Sequence, residues 1–562
     1  MRRRDFLRAS ALGAAALGAG DVTEVEAGSP KLVGKQPQHS NEKTESGPYE
    51  VADFELEEVT IADLQRDMVS GKRTARSITE LYMGRIASMD RQGPTLRSVI
   101  EMNPDAFSIA DNLDRERKQK GPRGPMHGIP VLIKDNIDTA DRMTTTAGSY
   151  ALEGSIPLRD SHVAQRLREA GAIILGKTNL SEWANFRSTH SSSGWSGRGG
   201  QARNPYVLDR NPCGSSSGSG AATSANFAAV AVGSETDGSI VCPSSANGLV
   251  GIKPTLGLIS RAGIIPIAHS QDTAGPMART VTDAAILLSA LAGVDSRDPA
   301  TADSKGHSSP DYTKFLDIRG LKGARIGVAR EKFFGFSDVV DELMHAAIDE
   351  MKRQGAVIVD PADIPTAGKF DDSELEVLLY EFKADLNSYL ASLGPKAPVK
   401  SMADIIAFNE RDKEREMPYF AQELMIRAQA KGPLTEKKYR DALAKNHRMS
   451  RAEGIDAVMK KHKLDAMIAP TGGPAWLTDL INGDHFTGGY STPSAVAGYP
   501  NINVPVGMAY GLPVGMSIFG GAWSEPKLIS IAYSFEQATK HRKPPRFLPT
   551  INPDLPPLNR LR

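Results

Sequence analysis

Cysteine is nearly absent from this sequence, because its 562 residues include only Cys213 and Cys242. Two cysteines cannot build a framework of several disulfides or a zinc site of three or four thiolates. An excess of charge of one sign is absent too, since 67 Lys and Arg residues balance 67 Asp and Glu residues. The chain therefore carries no overall field that would attract nucleic acid or an anionic membrane, and we expect neither as a partner.

A long hydrophobic run is also missing near the N-terminus. Arg2, Arg3 and Arg4 are followed by a stretch from Ala9 to Gly20 that carries no charge. This stretch is much shorter than the roughly 20 apolar residues that span a bilayer as a helix. The pattern resembles a twin-arginine export signal, with a basic unstructured tail as the alternative. We predict a signal peptide over residues 1–27, no membrane span, and an exported protein that is periplasmic or secreted.

The residues after the predicted signal are polar. Residues 28–50 are rich in Gly, Pro and Ser and cannot bury enough apolar surface to fold alone, so we predict a linker. From Ile61 to Met89 apolar residues recur at spacings of three and four, which predicts an amphipathic helix. Length alone allows several domains, but large α/β enzymes often form one unit of this size. We predict a single catalytic domain over residues 51–550.

The middle of the chain, from Met126 to Gly293, alternates two kinds of segment. Short apolar runs over residues 129–133 and 172–175 predict buried strands. Helix candidates lie beside them, over residues 161–170 and 282–291. Strands that alternate with helices are typical of an α/β sheet, so the predicted fold class is α/β.

The C-terminal half begins with a highly charged stretch over residues 304–463, which predicts a helical elaboration of the domain. Its clearest periodic segments cover residues 338–353 and 374–393. Strand-like apolar runs then return over residues 466–470 and 501–506, and residues 511–521 are typical of a hairpin. We therefore expect the chain to return to the sheet after this elaboration.

Serine and glycine concentrate in two loops on either side of the small-residue segment 221–232. The first loop, residues 211–220, reads NPCGSSSGSG, and the second, residues 233–243, reads GSETDGSIVCP. A serine is a poor nucleophile unless a base lies within hydrogen-bond reach, usually a histidine and otherwise a lysine or an N-terminal amine. The candidate base is Lys134, which ends the apolar run IPVLIK. Burial there would lower its pKa from about 10.4 to the value near 7 that a base needs.

Taken together, three segments resemble the signature of the amidase signature family: GIPVLIKDN over residues 128–136, GSSSGSG over residues 214–220 and ETDGSI over residues 235–240. The resemblance implies a mixed central sheet covered by helices. It also implies a triad in which Lys134 is the general base, Ser215 a bridging serine on a cis peptide bond, and Ser239 the nucleophile. The two serines are 24 positions apart in that family, as Ser215 and Ser239 are here.

The same resemblance implies an oxyanion hole built from backbone N–H groups. Its residues would be Thr236, Asp237, Gly238 and Ser239. Donors of this kind stabilise the negative charge that develops on the carbonyl oxygen during acyl transfer. The resemblance implies no cofactor for this chemistry, and we assign no metal ligand.

Around Ser239 the chain departs from many members of the family, which have Gly-Gly-Ser-Ile-Arg where residues 237–241 read DGSIV. This variant resembles the peptide amidase branch, as does the run NFR over residues 185–187 after Trp183. The resemblance implies hydrolysis of a carboxamide through an acyl-enzyme on Ser239, with the C-terminal amide of a peptide as the expected substrate. Asp237 places a carboxylate beside the nucleophile, where it can shape the charge preference for substrates.

Three other functions stay open at this point. One is a general amidase for small aryl or aliphatic amides, and another is a catalytically silent binder of amidated peptides. The third is the transamidating subunit of an amidotransferase, which works on tRNA-bound substrates in the cytosol. The intact triad disfavours the silent binder, and the export signal and neutral charge disfavour the amidotransferase subunit. A shared fold does not by itself decide the substrate.

Two further motifs match patterns of other enzymes, but the secondary structure predicted around each motif argues against that function. Residues 171–178 match the phosphate-loop pattern GxxxxGKT, but four consecutive apolar residues predict a strand where that loop is needed. Residues 214–218 match the nucleophile-elbow pattern GxSxG with Ser216 at its centre, yet no strand leads directly into it. We expect Ser216 and Ser217 instead to support the site through hydrogen bonds.

Cys213 and Cys242 lie next to the two serine-glycine loops that the family brings together. An exported protein could oxidise them to a disulfide. Equally, two buried thiols would pack as small hydrophobic side chains. Because the geometry of the pair decides between these alternatives, the sequence leaves both open.

Overall fold

The computed structural model describes residues 48–551 of the chain. The predicted signal peptide over residues 1–27 lies outside the described residues, as does the predicted linker over residues 28–50 apart from its last three residues. Both stay predictions. Within the described part, no helix is long and apolar enough to cross a membrane.

A mixed sheet of eleven strands forms the centre of the described part of the molecule, as an α/β fold requires. The strands are β1 (Val99–Met102), β2 (Pro130–Lys134), β3 (Ile173–Thr178), β4 (Trp195–Ser196), β5 (Gly200–Gln201), β6 (Val230–Glu235), β7 (Val250–Lys253), β8 (Thr273–Ala278), β9 (Arg325–Val328), β10 (Val357–Val359), β11 (Ala466–Pro470), β12 (Asn501–Ala509) and β13 (Leu512–Phe519). The order across the sheet is β1-β3-β2-β6-β8-β7-β12-β13-β11-β9-β10, and β4 pairs with β5 separately.

Helices cover this sheet. In the described range they are α1 (Ile61–Val69), α2 (Ala75–Met89), α3 (Ala106–Lys120), α4 (His162–Glu169), α5 (Ser217–Ser224), α6 (Val241–Ala246), α7 (Val281–Leu291), α8 (Asp338–Arg353), α9 (Asp371–Ser392), α10 (Met402–Arg411), α11 (Lys413–Glu416), α12 (Glu423–Gln429), α13 (Lys437–His447), α14 (Asp456–His462), α15 (Thr492–Ala497) and α16 (Glu525–Thr539). Helix α7 packs on β8, while α8 and α16 pack on β12.

Three neighbouring strands bring the serine-glycine loops to one edge of the sheet. β2 runs parallel to both β3 and β6. All residues of β2 and β6 are buried, which is typical of parallel strands covered on both faces. The carboxyl ends of parallel strands lie at the same edge, where the following loops converge. Lys134 ends β2 and Glu235 ends β6, so both residues lie at this edge of the sheet.

The segment Ile61–Met89, predicted as one amphipathic helix, is two helices, and that prediction was wrong in this respect. Residues 70–74 separate α1 from α2. Gly71 has a φ of +76°, in the left-handed region that favours glycine. Thr74 then caps α2, because its hydroxyl accepts a hydrogen bond from the N–H of Ser77. Hydrophobic spacing continues across such a break and does not reveal it.

The predicted helical elaboration over residues 304–463 contains two strands as well as helices. β9 and β10 flank α8 and pair in parallel, and β9 also pairs with β11, so this stretch extends the main sheet. Strands of four and three residues are too short for a hydrophobic period to reveal. By contrast, α8 and β11 have the predicted bounds, and β12 and β13 form a hairpin whose second strand lies within residues 511–521.

Candidate active site

Lys134 is fully buried at the end of β2. Its Nζ lies 2.8 Å from Ser215 Oγ, 3.0 Å from Ser234 Oγ and 3.2 Å from the Ser234 carbonyl oxygen. Burial lowers the pKa of Lys134 from 10.5 to about 7, against the carboxylates of Asp272 and Glu235, which raise it. A lysine in this environment can lose its proton near neutral pH, which is what a general base requires.

Ser215 lies in the loop before α5, and its peptide bond to Gly214 is cis. Glycine is needed before it, because a Cβ on Gly214 would lie only 2.2 Å from Ser181 Oγ. The N–H of Ser181 donates to the carbonyl oxygen of Ser215 at 3.1 Å. The Ser215 side chain is fully buried against the amine of Lys134. The structure therefore brings the predicted base and the predicted bridging serine into hydrogen-bond contact.

The next two serines bond to surrounding backbone groups. Ser216 Oγ donates to the carbonyl oxygen of Ser234 at 3.0 Å and accepts from the N–H of Ser234 at 3.2 Å. Ser217 Oγ donates to the carbonyl oxygen of Cys213 at 2.6 Å. The N–H of Ser216 donates to the carbonyl oxygen of Ser239 at 3.2 Å. These bonds join the loop before α5 to β6 and to the loop that follows it.

Ser239 lies in the loop between β6 and α6, with 9% of its surface exposed. Glu235 shapes this loop, because its Oε2 accepts from the N–H groups of Ile240 at 2.7 Å and Val241 at 3.1 Å. The N–H groups of residues 236–239 donate to no backbone carbonyl within residues 48–551. Consecutive N–H groups without a backbone acceptor are what an oxyanion hole requires, and Thr236 lines the adjacent cavity.

Gly238 and Asp237 place the same loop against the start of α15. Gly238 has a φ of +78°, and a Cβ there would lie 3.1 Å from Ser491 Oγ, so glycine suits this position on two grounds. Asp237 Oδ2 accepts from Thr492 Oγ1 at 2.7 Å. Asp237 Oδ1 is buried without a hydrogen-bond partner. The residue itself is partly exposed beside the predicted nucleophile.

A disulfide joins Cys213 to Cys242, with Cα atoms 6.0 Å apart. Of the two alternatives that the sequence leaves open, the structure has the bridge and not a pair of free thiols. Cys213 directly precedes Gly214, and Cys242 lies in the first turn of α6, just after Ser239. The bridge therefore ties together the two loops that carry the predicted serines.

A cavity of about 420 Å³ opens beside these loops. Buried residues of the site, among them Ser215, Ser234 and Thr236, line it. Residues 264–267 form an apolar wall, and the half-exposed His269 also lines the cavity. A concave pocket of this size, with apolar walls and a few polar groups, is typical of a site for a small molecule or a short peptide.

Three residues to which the sequence assigned no role contact the predicted site residues: Ser234, Asn136 and Asp272. Asn136 Nδ2 donates to Ser234 Oγ at 2.9 Å, and Thr236 Oγ1 donates to Asp272 Oδ1 at 2.6 Å. Ser234 and Asn136 lie inside motifs already singled out, which is the signal that could have found them. Asp272 is 36 positions from Thr236, and its only local signal is a carboxylate directly before the buried strand β8.

Three side chains beside the cavity could in principle hold a metal ion. The ligand atoms of His269, Glu381 and Asp385 lie within 4.8 Å of one another. Hydrogen bonds already account for this arrangement, since His269 Nδ1 lies 2.8 Å from Asp385 Oδ2 and the Tyr439 hydroxyl donates to Glu381 Oε1 at 2.7 Å. We assign no metal to this group.

Comparison with known proteins identifies the family to which this chain belongs. A family model described as Amidase matches residues 77–529, and the chain belongs to this family, the amidase signature family. Proteins named as amidases are among its relatives in sequence and in structure. The chain is therefore an amidase, a hydrolase of amides.

Particular relatives narrow the comparison. The chain is similar to the native peptide amidase from Stenotrophomonas maltophilia, at 51% identity and a TM-score of 0.85, over 88% of this chain and 100% of that one. A peptide amidase in complex with the competitive inhibitor chymostatin has the same identity and TM-score, over 87% and 99% of the two chains. A relative from Arabidopsis thaliana with the name probable amidase is 45% identical over 504 residues, or 88% of this chain and 93% of its own length.

Proposed function

We propose that this amidase removes ammonia from the C-terminal carboxamide of peptides and leaves a free carboxylate. The likeness to the peptide amidase of Stenotrophomonas maltophilia supports this substrate class. The related peptide amidase with bound chymostatin supports it further. The cavity beside Ser215 and Thr236 has the size that a short peptide needs.

In this proposal Ser239 is the nucleophile and Lys134 is the general base. The neutral amine of Lys134 accepts the proton of the Ser215 hydroxyl, while Ser215 Oγ accepts the proton of Ser239, whose Oγ bonds to the amide carbon. The N–H groups of residues 236–239 donate to the carbonyl oxygen as its negative charge develops. The proton then passes through Ser215 to the amide nitrogen, the C–N bond breaks, and ammonia leaves.

The second half of the reaction regenerates the enzyme. The first half leaves an acyl ester on Ser239, and a water molecule attacks its carbonyl carbon. Ser215 and Lys134 accept the water proton in the same sequence as before. The ester bond then breaks, Ser239 Oγ recovers a proton, and the peptide leaves as a carboxylic acid. Such a covalent intermediate separates one difficult step into two easier ones.

The observation that carries the chemistry is the 2.8 Å contact between Lys134 Nζ and Ser215 Oγ, together with the lowered pKa of Lys134. A protonated lysine could only donate a hydrogen bond to Ser215. A lysine whose pKa is about 7 is neutral in a large fraction of molecules near neutral pH and can accept a proton instead. Ser216 and Ser217 act in this proposal by holding the loop of Ser215.

The test is ammonia release by the purified protein from a panel of amidated dipeptides, benzamide and free glutamine. The variants are Ser239→Ala and, as a matched control, Ser108→Ala, which changes an exposed serine on α3. We expect the wild type and Ser108→Ala to release ammonia from the dipeptide amides, and Ser239→Ala to release none. Equal activity on benzamide would indicate a general amidase, and release from glutamine would favour amidotransferase chemistry. No release from any substrate would indicate a silent binder.

Export belongs to the same proposal, and its support is the sequence alone. Arg3 and Arg4 lie in the twin-arginine pattern of residues 1–27, outside the described residues. We expect a bacterial host to place the amidase in its periplasm or medium, and the double variant Arg3→Lys, Arg4→Lys to stay in the cytosol. Fractionation followed by N-terminal sequencing of the exported form would locate the cleavage site. Retention of the wild type in the cytosol would contradict the proposal.

A further inference from the structure

Asp272 connects the loop of residues 236–239 to the wall of the cavity. Its Oδ1 accepts from Thr236 Oγ1 at 2.6 Å. Its Oδ2 accepts from the backbone N–H groups of Ile267 and Ala268, each at 2.9 Å. Asp272 and Thr236 both line the cavity and are both buried. One carboxylate therefore fixes the apolar wall relative to Thr236. Thr236 is the first of the residues 236–239, whose backbone N–H groups we call the N–H row.

The residues on either side of Asp272 hold the same loop. Gln271 Nε2 lies 3.3 Å from the carbonyl oxygen of Thr236 and donates to Glu374 Oε1 at 3.0 Å. Thr273 is opposite Glu235 in the antiparallel pairing of β8 with β6. Residues 271 and 272 therefore contact both the hydroxyl and the carbonyl oxygen of Thr236, beside the end of β6.

The charge of Asp272 also acts on Lys134. The carboxylates of Asp272 and Glu235 raise the pKa of Lys134, and burial opposes them. Burial raises the pKa of Glu235 itself, and the charge of Lys253 opposes that shift. Burial raises the pKa of Asp272 to about 6, although its three hydrogen bonds act in the opposite direction. At the pH at which half of the Lys134 side chains have lost their proton, Asp272 is therefore mostly ionised.

Two further charged groups act on Asp272 from the cavity side. Asp385, on α9, raises the pKa of Asp272. Arg261 lines the same cavity, and its own pKa is raised in part by the charge of Asp272. Arg261 is also paired with Asp298. None of these groups bonds to Thr236, so the hydrogen bond between Thr236 and Asp272 can be changed separately from them.

We infer that Asp272 is a positioning residue for the amide hydrolysis proposed above: it fixes Thr236, and with it the backbone N–H groups of residues 236–239, against the wall of the cavity at Ile267 and Ala268. This inference rests on the proposed function for the identity of the reaction. The inference stands on the hydrogen bond of Asp272 to Thr236. The charge of Asp272, which raises the pKa of Lys134, is a second effect and supplies a readout that a merely structural role would not move.

The two effects predict different results for two substitutions. Asp272→Asn removes the charge, so Lys134 loses its proton more readily and the acidic limb of the pH–rate profile moves to lower pH, on the order of one pH unit. Thr236→Val removes the hydroxyl and keeps the carboxylate of Asp272, so the plateau rate falls by about 10²-fold while the limb moves less than in Asp272→Asn. Thr236→Ser restores the hydroxyl and recovers most of the rate. If Asp272 only supported the fold, its substitution would not move the acidic limb of the pH–rate profile separately from the plateau rate.

The readout is the rate at which an alkyl fluorophosphonate labels Ser239, measured across pH. The reagent forms a phosphonate ester on a reactive serine with loss of fluoride, so the rate reports the activated serine without any assumption about the amide substrate. The matched control is Asp283→Asn on α7, a buried carboxylate whose pKa burial likewise raises to about 6 and which accepts from the N–H of Ile61 outside the cavity. We expect this control to leave the limb in place.

Either of two results would overturn the inference. The first is a pH–rate profile of Asp272→Asn whose acidic limb has not moved, and the second is a labelling rate of Thr236→Val within about threefold of the wild type. Circular dichroism and thermal melting check that each variant folds. If Asp272→Asn does not fold, the rates of Thr236→Val and Thr236→Ser decide the matter. Labelling of this pattern in a protein that releases no ammonia would refute the proposed function while supporting the role of Asp272.

Discussion

Lys134 Nζ and Ser215 Oγ, 81 positions apart in the sequence, lie 2.8 Å apart with neither side chain exposed to solvent. The contact exists because β2 ends at the edge of the sheet where the loop before α5 also lies. Burial makes a charged lysine costly, so the surroundings favour the neutral amine. The pair therefore has measurable consequences for rate, for pH dependence and for stability.

Replacing Lys134 should abolish most of the activity. In Lys134→Met no group accepts the proton of Ser215, and general-base catalysis typically contributes about 10²- to 10⁴-fold. We expect kcat on a dipeptide amide to fall by this factor with little change in KM. The control is Lys118→Met, which removes an exposed lysine of α3. A loss of less than tenfold in Lys134→Met would show that another group is the base.

The pH dependence of the reaction should follow Lys134. Below its pKa of about 7 the lysine carries its proton and cannot accept another, so activity is low there and rises as pH increases through this value. We expect kcat/KM, measured from about pH 5 to about pH 9, to reach half of its plateau near neutrality. A flat profile down to the acidic end would contradict this role for the lysine.

The same residue should lower the stability of the folded protein near neutral pH. Lys134 titrates near 10.4 in the unfolded chain and at about 7 in the folded one. Between these two pKa values the unfolded chain binds a proton that the folded chain does not, so the free energy of unfolding rises with pH. The cost of burying the charged lysine is therefore fully present below neutral pH and is lost as pH approaches about 10.4. We expect urea unfolding at pH 7 to show Lys134→Met more stable than the wild type, with a smaller gain near pH 10. A variant less stable than the wild type at pH 7 would refute this.

The disulfide should stabilise the fold and the site. Cys213 and Cys242 are 29 positions apart, and closing a loop of this length lowers the conformational entropy of the unfolded chain by an amount worth about 3.6 kcal/mol of stability. We expect the double variant Cys213→Ser, Cys242→Ser to lose about that much free energy of unfolding in urea and to lose activity before it unfolds. Treatment of the wild type with a reductant should reproduce both effects. Unchanged stability under reduction would mean that the bridge contributes little.

Gly238 should tolerate no side chain. Its φ of +78° and the nearby hydroxyl of Ser491 both oppose a Cβ, so Gly238→Ala shifts the N–H groups around it. Loss of one such donor typically costs about 10²- to 10³-fold in rate. We expect a fall in kcat of this order and, because alanine is strained at positive φ, a melting temperature somewhat below that of the wild type. The control is Gly71→Ala between α1 and α2, also at positive φ, where a Cβ meets no atom within 4 Å.

Much of this architecture is readable from local sequence. Buried runs predicted β2 and β3, helical spacing predicted α8 over its full length, and the run over residues 466–470 predicted β11. These features are readable because hydrophobic period and glycine or serine content act over a few residues. The three signature segments also sufficed to predict the family and to single out Lys134, Ser215 and Ser239. Their local order along the chain carries that information without any contact being known.

Only the tertiary structure decided which distant groups meet. The hydrogen bond of Thr236 to Asp272, the bridge between Cys213 and Cys242, and the joining of β9 and β10 to the sheet all depend on how strands pair across many intervening residues. Local spacing cannot reveal such pairing, because it is set by the packing of the whole sheet. The lowered pKa of Lys134 was expected from its place at the end of an apolar run, but the burial that causes it is complete only in the fold, because it comes from every element packed around the end of β2.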